Sequence, residues 1–377
     1  MRRILPLAGA IVLVDTLFFA ALTPLLPHYA DHLGLGKGGA GLLAAAYPLG
    51  ALLGSIPSGI VAARLGVKPT VLAGLTVVAG TTALFGIADT AWELDLARFC
   101  QGLASAFSWT GALAWLVAAS PARRRGALIG QAFAAAIVGA LLGPVLGGIA
   151  SLGGTGWTFG AVALASLGLA AWAAAMPVAR PEEPQPISAL LEAFRDRRVL
   201  LSVWFVVLAA MLFGTLSVLG PLRLSALGFG AVGIGAVWLV TGALETINNI
   251  GIGRAADRYG PLVPIRVALV ATVLATLLLP WPSNAYVLAL LIAFAGIAFG
   301  TFYTPGMTLL THAAEERGLD YGYAFALVNL AWAPGQSGGS AIGGAIAAAT
   351  SDAVPYLALS VIALLTLAGL WRSRSSS

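Results

Sequence analysis

Apolar residues in this chain come in unbroken runs of about twenty, repeated from residue 5 to residue 371. No other feature limits the fold so tightly. A helix rises about 1.5 Å per residue, so about twenty residues cross the hydrocarbon core of a bilayer. Helices that are apolar on every side need lipid or a very large core around them. Only 9% of the 377 residues are charged, against 59% hydrophobic, too little charged surface to keep such a chain dissolved. The 47 glycines and 20 prolines would disrupt soluble helices. Inside a membrane, neighbouring helices re-satisfy the freed backbone groups and small residues let helices approach closely. The chain therefore reads as an all-α integral membrane protein.

The runs place twelve spans near 5–27, 40–62, 70–88, 94–118, 127–149, 157–177, 199–221, 231–253, 262–280, 285–310, 321–347 and 354–371. The first begins with Arg2 and Arg3 like a secretory leader, but its apolar stretch is too long and it carries Asp15, so it reads as a retained span. Residues 179–198 (ARPEEPQPISALLEAFRDRR) are Pro-rich and charged, and read as a cytoplasmic linker between a bundle at 1–178 and a second at 199–377. Seventeen of the twenty Lys and Arg residues fall on the side of the termini, and only Lys37 and Arg223 on the other. That bias predicts a multi-pass protein of the cell inner (plasma) membrane with both termini cytoplasmic. The +5 net charge then reports topology, and no nucleic-acid partner is expected.

An internal repeat organises the chain. GIVAARLG at 59–66 returns as GRAADRYG at 253–260, and GLASAFSWTG at 102–111 as GIAFGTFYTP at 296–305, both 194 residues on. GALLGPVLGG at 139–148 returns as GQSGGSAIGG at 335–344. Two six-helix copies follow, and because six is even they enter from the same side, related by an axis along the membrane normal.

These segments resemble the major facilitator superfamily, and within it the twelve-span drug:proton antiporters. Gly59, Arg64, Gly66 and Lys68 look like the superfamily's signature between spans 2 and 3, with Ala63 and Val67 departing from it; the second copy keeps Asp257 and Arg258. Leu94, Arg98, Gln101, Gly102 and Ala106 are similar to the fourth-span pattern of proton-coupled members. Gly130, Gly139, Gly143, Pro144, Gly147 and Gly148 match the fifth-span signature of antiporters, and Gly335, Gly339 and Gly343 repeat its spacing. Glycines four apart make a smooth stripe along which another helix can slide, and Pro144 removes the hydrogen bond to the Ala140 carbonyl and can bend the helix. The resemblance implies a major facilitator fold of two pseudo-symmetric bundles and transport by alternating access, with these loop and seam positions taking part in gating. The segment VDTLFFAALTPLLPHY is also similar to the first span of vesicular-amine-type antiporters, whose aspartate engages a cationic substrate. Acids expected in that subgroup fall here on Gly220, Tyr303 and Asn329.

Three charged residues inside spans are the candidates for proton coupling: Asp15, Arg98 and Glu245. Asp15 lies near mid-membrane, where a carboxyl can exchange a proton for a cationic substrate or serve as a structural hydrogen-bonding group. Arg98 can tune that exchange, snorkel to the interface, or pair with Asp95 three residues earlier; its repeat counterpart is Ile292. Aromatic residues Phe19, Trp109, Tyr303 and Trp332, together with Asn329 and Asp15, are the expected substrate contacts, by cation–π attraction or simple packing. The expected partners are a small molecule, protons and membrane lipid, in a monomer. No metal site is expected from His28, His32 and His312, scattered in loops, and no enzyme motif such as GxSxG, HExxH or a Walker loop occurs. The expectation is a transporter rather than an enzyme, with a proton gradient and no cofactor, that expels small lipophilic or cationic compounds. The alternative is a proton symporter or facilitator for a sugar, amino acid or other metabolite.

Overall fold

The computed structural model describes residues 4–120, 125–177, 192–260, 262–316, 318 and 321–372. Twelve helices follow one another in the described residues: α1 Ile4–His32, α2 Gly36–Leu65, α3 Val67–Ile87, α4 Ala91–Ala118, α5 Arg125–Gly153, α6 Thr155–Ala174, α7 Arg197–Ala226, α8 Ala231–Tyr259, α9 Leu262–Leu278, α10 Ala285–Glu316, α11 Tyr321–Ala349 and α12 Ala353–Arg372. Each expected span falls on one of them; the starts agree to within about four residues, while α1, α7, α8 and α10 run five or six residues past the expected ends. Nine of the helices, among the described residues, are long and apolar enough to cross a membrane. α9 is apolar but only 17 residues long, and α4 carries Glu93, Asp95 and Arg98 in its first turns. Most of the expected linker, together with Arg123, Arg124, Arg180, Arg317 and Arg374, lies outside the described residues.

Local chemistry sets the helix ends. Thr90 and Glu93 form a reciprocal capping box at the start of α4. Asp196 accepts from the Arg198 backbone N–H at α7 (2.8 Å), and Asn284 from those of Tyr286 and Val287 at α10. The turns after α2 and α8 use Gly66 (φ 99°) and Gly260 (φ 80°), a left-handed conformation that side chains with a Cβ avoid. These glycines end the repeated segments of the sequence, and they close the same turn in both copies.

Packing repeats as well. α1 lies along α5, α2 along α4 and α3 along α6; α7 along α11, α8 along α10 and α9 along α12 repeat those pairings. Between the bundles, α2 meets α11 and α5 meets α8, again exchanged by the two-fold axis. Those contacts gather at the end away from the termini. A methyl group at Gly41, near the start of α2, would stand 2.5 Å from the Ser340 carbonyl of α11 and 3.2 Å from the Gly344 Cα. One at Gly235, early in α8, would stand 2.6 Å from the Pro144 carbonyl of α5. Toward the termini, methyl groups at Gly59 on α2 or at Gly251 and Gly253 on α8 would meet nothing within 4 Å. The two bundles close over one end of the molecule and open toward the other.

Candidate functional site

Asp15 is 4% exposed, eleven residues into α1. Its Oδ2 accepts from three donors: the Tyr47 hydroxyl of α2 (2.8 Å), and the Ser105 hydroxyl (2.7 Å) and Trp109 Nε1 (2.6 Å) of α4. Oδ1 has no hydrogen-bond partner. The carboxyl therefore ties three helices of one bundle together, and it stands behind the cavity wall rather than on it.

Arg98 sits one layer nearer the closed end, 2% exposed. It forms no ion pair with Asp95 or any other acid among the described residues. Nη1 donates to Gln101 Oε1 and Nη2 to the Phe19 carbonyl, both at 3.3 Å, while Nε has no partner. Three rings surround the guanidinium: Tyr47 at 5.0 Å, Phe19 at 5.6 Å and Phe85 at 5.8 Å from their centroids, within the range of cation–π attraction. This is a buried position packed in aromatic rings, and not the interfacial snorkel that its place near a span end allowed.

A cavity of about 610 Å³ lies between the bundles. The first bundle gives it an apolar wall of Phe19, Leu22, Leu26, Ile137 and Leu141, with Arg98 the charged side chain in it. The second bundle gives Trp238, Tyr303 and Trp332 and a polar group of Ser217, Glu245, Asn249 and Gln336. Glu245 forms no hydrogen bond or ion pair with any described residue. Asn249 Oδ1 is buried without a partner, while the neighbouring Asn248 donates to Thr301 (2.7 Å). Phe19 and Trp332 meet edge-on across the bundles, 5.7 Å between centroids.

Of the expected site residues, Phe19, Arg98, Glu245, Tyr303, Trp332 and Pro144 line the cavity. Asp15, Trp109 and Asn329 do not; Trp109 is held by Asp15 and packs on Phe133 instead. Tyr47, Ser105, Phe213, Trp238 and Gln336 join the two clusters without having been singled out. Ser105 and Gln336 lie inside the repeated segments 102–111 and 335–344, which was a usable signal; the others are ordinary residues of apolar helices.

The helices that face the glycine stripes are α1 and α7. Methyl groups at Gly139, Gly143 and Gly147 would strike the backbone or side chains of Leu13, Thr16, Leu17, Ala20, Ala21 and Pro24 on α1, and those at Gly335, Gly339 and Gly343 would strike Val207, Met211 and Thr215 on α7. Both stripes bury themselves inside their own bundle. Pro144 and Gly148, beside the stripe, are the positions that meet α8, at Gly235 and Val232. Of the loop signature, Lys68 donates to the Ala174 and Met176 carbonyls at the end of α6 (2.6 and 2.8 Å). Arg64 is exposed. Arg258 stacks on Tyr259, and Asp257 lies outside the described side chains.

At the closed end Asp352, between α11 and α12, pairs with Lys37 at the start of α2 (2.5 Å) and with Arg223 near the end of α7 (3.5 Å). Lys37 and Arg223 are the two basic residues that the sequence set apart from all the others.

The family model described as Major Facilitator Superfamily matches residues 8–336. The chain belongs to that superfamily. An uncharacterized MFS-type transporter of Enterobacter sp. (strain 638) is 29% identical over 280 residues, covering 73% of this chain and 71% of the relative. Among solved structures, a bacterial homologue of the human lysosomal transporter Spinster, described as inward-facing and unoccupied, superposes with a TM-score of 0.79 at 15% identity, covering 97% of this chain and 95% of the other. A D-xylose–proton symporter gives 0.77 at 15% identity, covering 98% and 97%. At that identity the structural likeness speaks for the fold alone: a major facilitator transporter of two pseudo-symmetric six-helix bundles, spanning the membrane many times.

Proposed function

We propose that this protein is a proton-coupled secondary transporter that expels small lipophilic compounds across the inner membrane by alternating access, with Glu245 as the exchanging carboxyl. The observation that carries the reading is a carboxyl on the cavity wall, free of any described partner, among Trp238, Tyr303 and Trp332. Gain or loss of a proton on such a group changes the charge of the wall that the cargo meets. Asp15 has a different part: with one oxygen held by three donors behind the wall, it holds α1, α2 and α4 in register. With both termini in the cytoplasm, as the basic residues argue, the open end of the cavity faces the cytoplasm and is ready to load. Protons and lipid are then the partners besides the cargo, and the ion gradient is the energy source.

The test uses proteoliposomes holding a fluorescent lipophilic dye under an imposed pH gradient. Glu245→Gln loses gradient-driven movement and keeps passive exchange of cargo across the membrane. Gradient-driven movement that survives in Glu245→Gln defeats the assignment. The polar wall of the second bundle also favours a second reading, symport of a polar metabolite. Cargo added to unenergised liposomes draws protons along with it in a symporter and drives them the opposite way in an antiporter.

A further inference from the structure

A buried guanidinium needs a counter-charge, and Arg98 has none within reach of an ion pair among the described residues. Removing an unpaired charge from water costs several kcal/mol unless protein, water or an anion compensates it. The compensation present is partial. Two of the five N–H groups reach neutral oxygens, at 3.3 Å, and Nε reaches nothing. The rings of Phe19, Tyr47 and Phe85 hold the cation but offer no acceptor to its N–H edge. Asp15, the nearby acid of the same bundle, gives one oxygen to three donors, one of which is the Tyr47 hydroxyl; the ring of that tyrosine stands against the guanidinium. Yet Arg98 lines the cavity.

We infer that Arg98 is the docking point for an anionic group of the cargo, so that the cavity takes amphipathic molecules bearing a carboxylate or similar oxyanion on an apolar body. The inference rests on the reading of this cavity as the cargo site. Its surroundings fit such a molecule. Ile292, the repeat counterpart of Arg98, lines the same cavity, as do Phe213, Leu216 and Phe19, a setting for hydrocarbon or an aromatic ring. Glu245 does not crowd the anion. Arg98 is seven residues from the closed end of α4 and Glu245 fourteen from that of α8, which separates them by about 10 Å in depth at the helical rise.

The measurement is ligand-induced thermal stabilisation of the purified full-length protein by three matched probes: 2-naphthoate, 2-naphthamide and 2-naphthylmethylammonium. Naphthoate is expected to stabilise at a concentration about tenfold below that needed for the amide, with the ammonium weakest. Arg98→Gln should erase this ranking and keep the response to the amide. Arg98→Lys should retain part of it, and it carries the test alone if the glutamine variant does not fold. Equal potency of the three probes, a ranking unchanged in either variant, or no response to any probe overturns the inference. No gradient enters the measurement. Loss of the proton-coupling assignment at Glu245 would therefore leave the ranking intact, and loss of the ranking would leave the coupling result standing.

Discussion

Glu245 owes its room to Gly300. A methyl group there would stand 2.6 Å from the Cγ and Cδ of Glu245 and nearer still to Oε1. Because a carboxyl on a flexible stem can swing away, Gly300→Ala should displace the acid rather than break α10. The expected result is a melting temperature near that of the parent and a severalfold loss of pH-gradient-driven transport in liposomes. Asp15 is the opposite case. Asp15→Ala removes the one oxygen that meets all three donors; leaving buried donors unmet costs about 1–3 kcal/mol. A clear drop in thermal stability is expected, with gradient-driven transport per folded molecule largely kept. The depth of both acids was legible in the sequence, since each residue adds about 1.5 Å. Their surroundings were not. Asp15 and Phe19 are four apart and share a helix face, yet one is covered and the other lines the cavity. The cover comes from Tyr47 on α2 and from Ser105 and Trp109 on α4, which no pattern within α1 can reveal.

At the scale of elements, glycines that look alike in sequence divide by what faces them. At Gly139, Gly143 and Gly339 the obstacle includes the backbone of a neighbouring helix, which cannot rotate aside. Gly143→Val and Gly339→Val should therefore push α5 from α1, or α11 from α7, and reduce the monodisperse fraction in detergent chromatography. Gly130, with nothing within 4 Å, should accept alanine with a gain of up to about 1 kcal/mol from helix propensity. Spans, helix order and the paired glycine turns were all readable, because apolar runs and positive-φ glycines are local signals. Which face a glycine stripe presents depends on how whole helices are arranged. That is why the stripe was legible while its partner helix, α1 in one bundle and α7 in the other, was not.

For the molecule as a whole, Asp352 joins both bundles at the closed end: Arg223 fixes it within the second, and Lys37 approaches from the first. The Lys37 side chain is 41% exposed, so the pair is worth at most about 1 kcal/mol. Lys37→Met should shift the conformational balance by about fivefold or less toward a state open at this end. Labelling of Gly38→Cys by a membrane-impermeant thiol reagent, against Ala348 across the joint, would read the shift, and Lys37→Arg, which keeps the cation beside Asp352, should leave the balance near that of the parent. The repeat in the sequence announced two copies of one design. It could not announce that their walls would differ, with one cation on the first and an acid and amides among apolar residues on the second, because side-chain identity drifts where backbone contacts do not.

The hydroxyl of Tyr47 has a mechanical consequence. By joining α1, α2 and α4 through Asp15 while its ring bears on Arg98, it links three helices into one unit that meets the second bundle at the Gly41–Gly344 contact. On the docking inferred for Arg98, a swing at that joint would carry the guanidinium with it, and the grip on the cargo would change together with the opening.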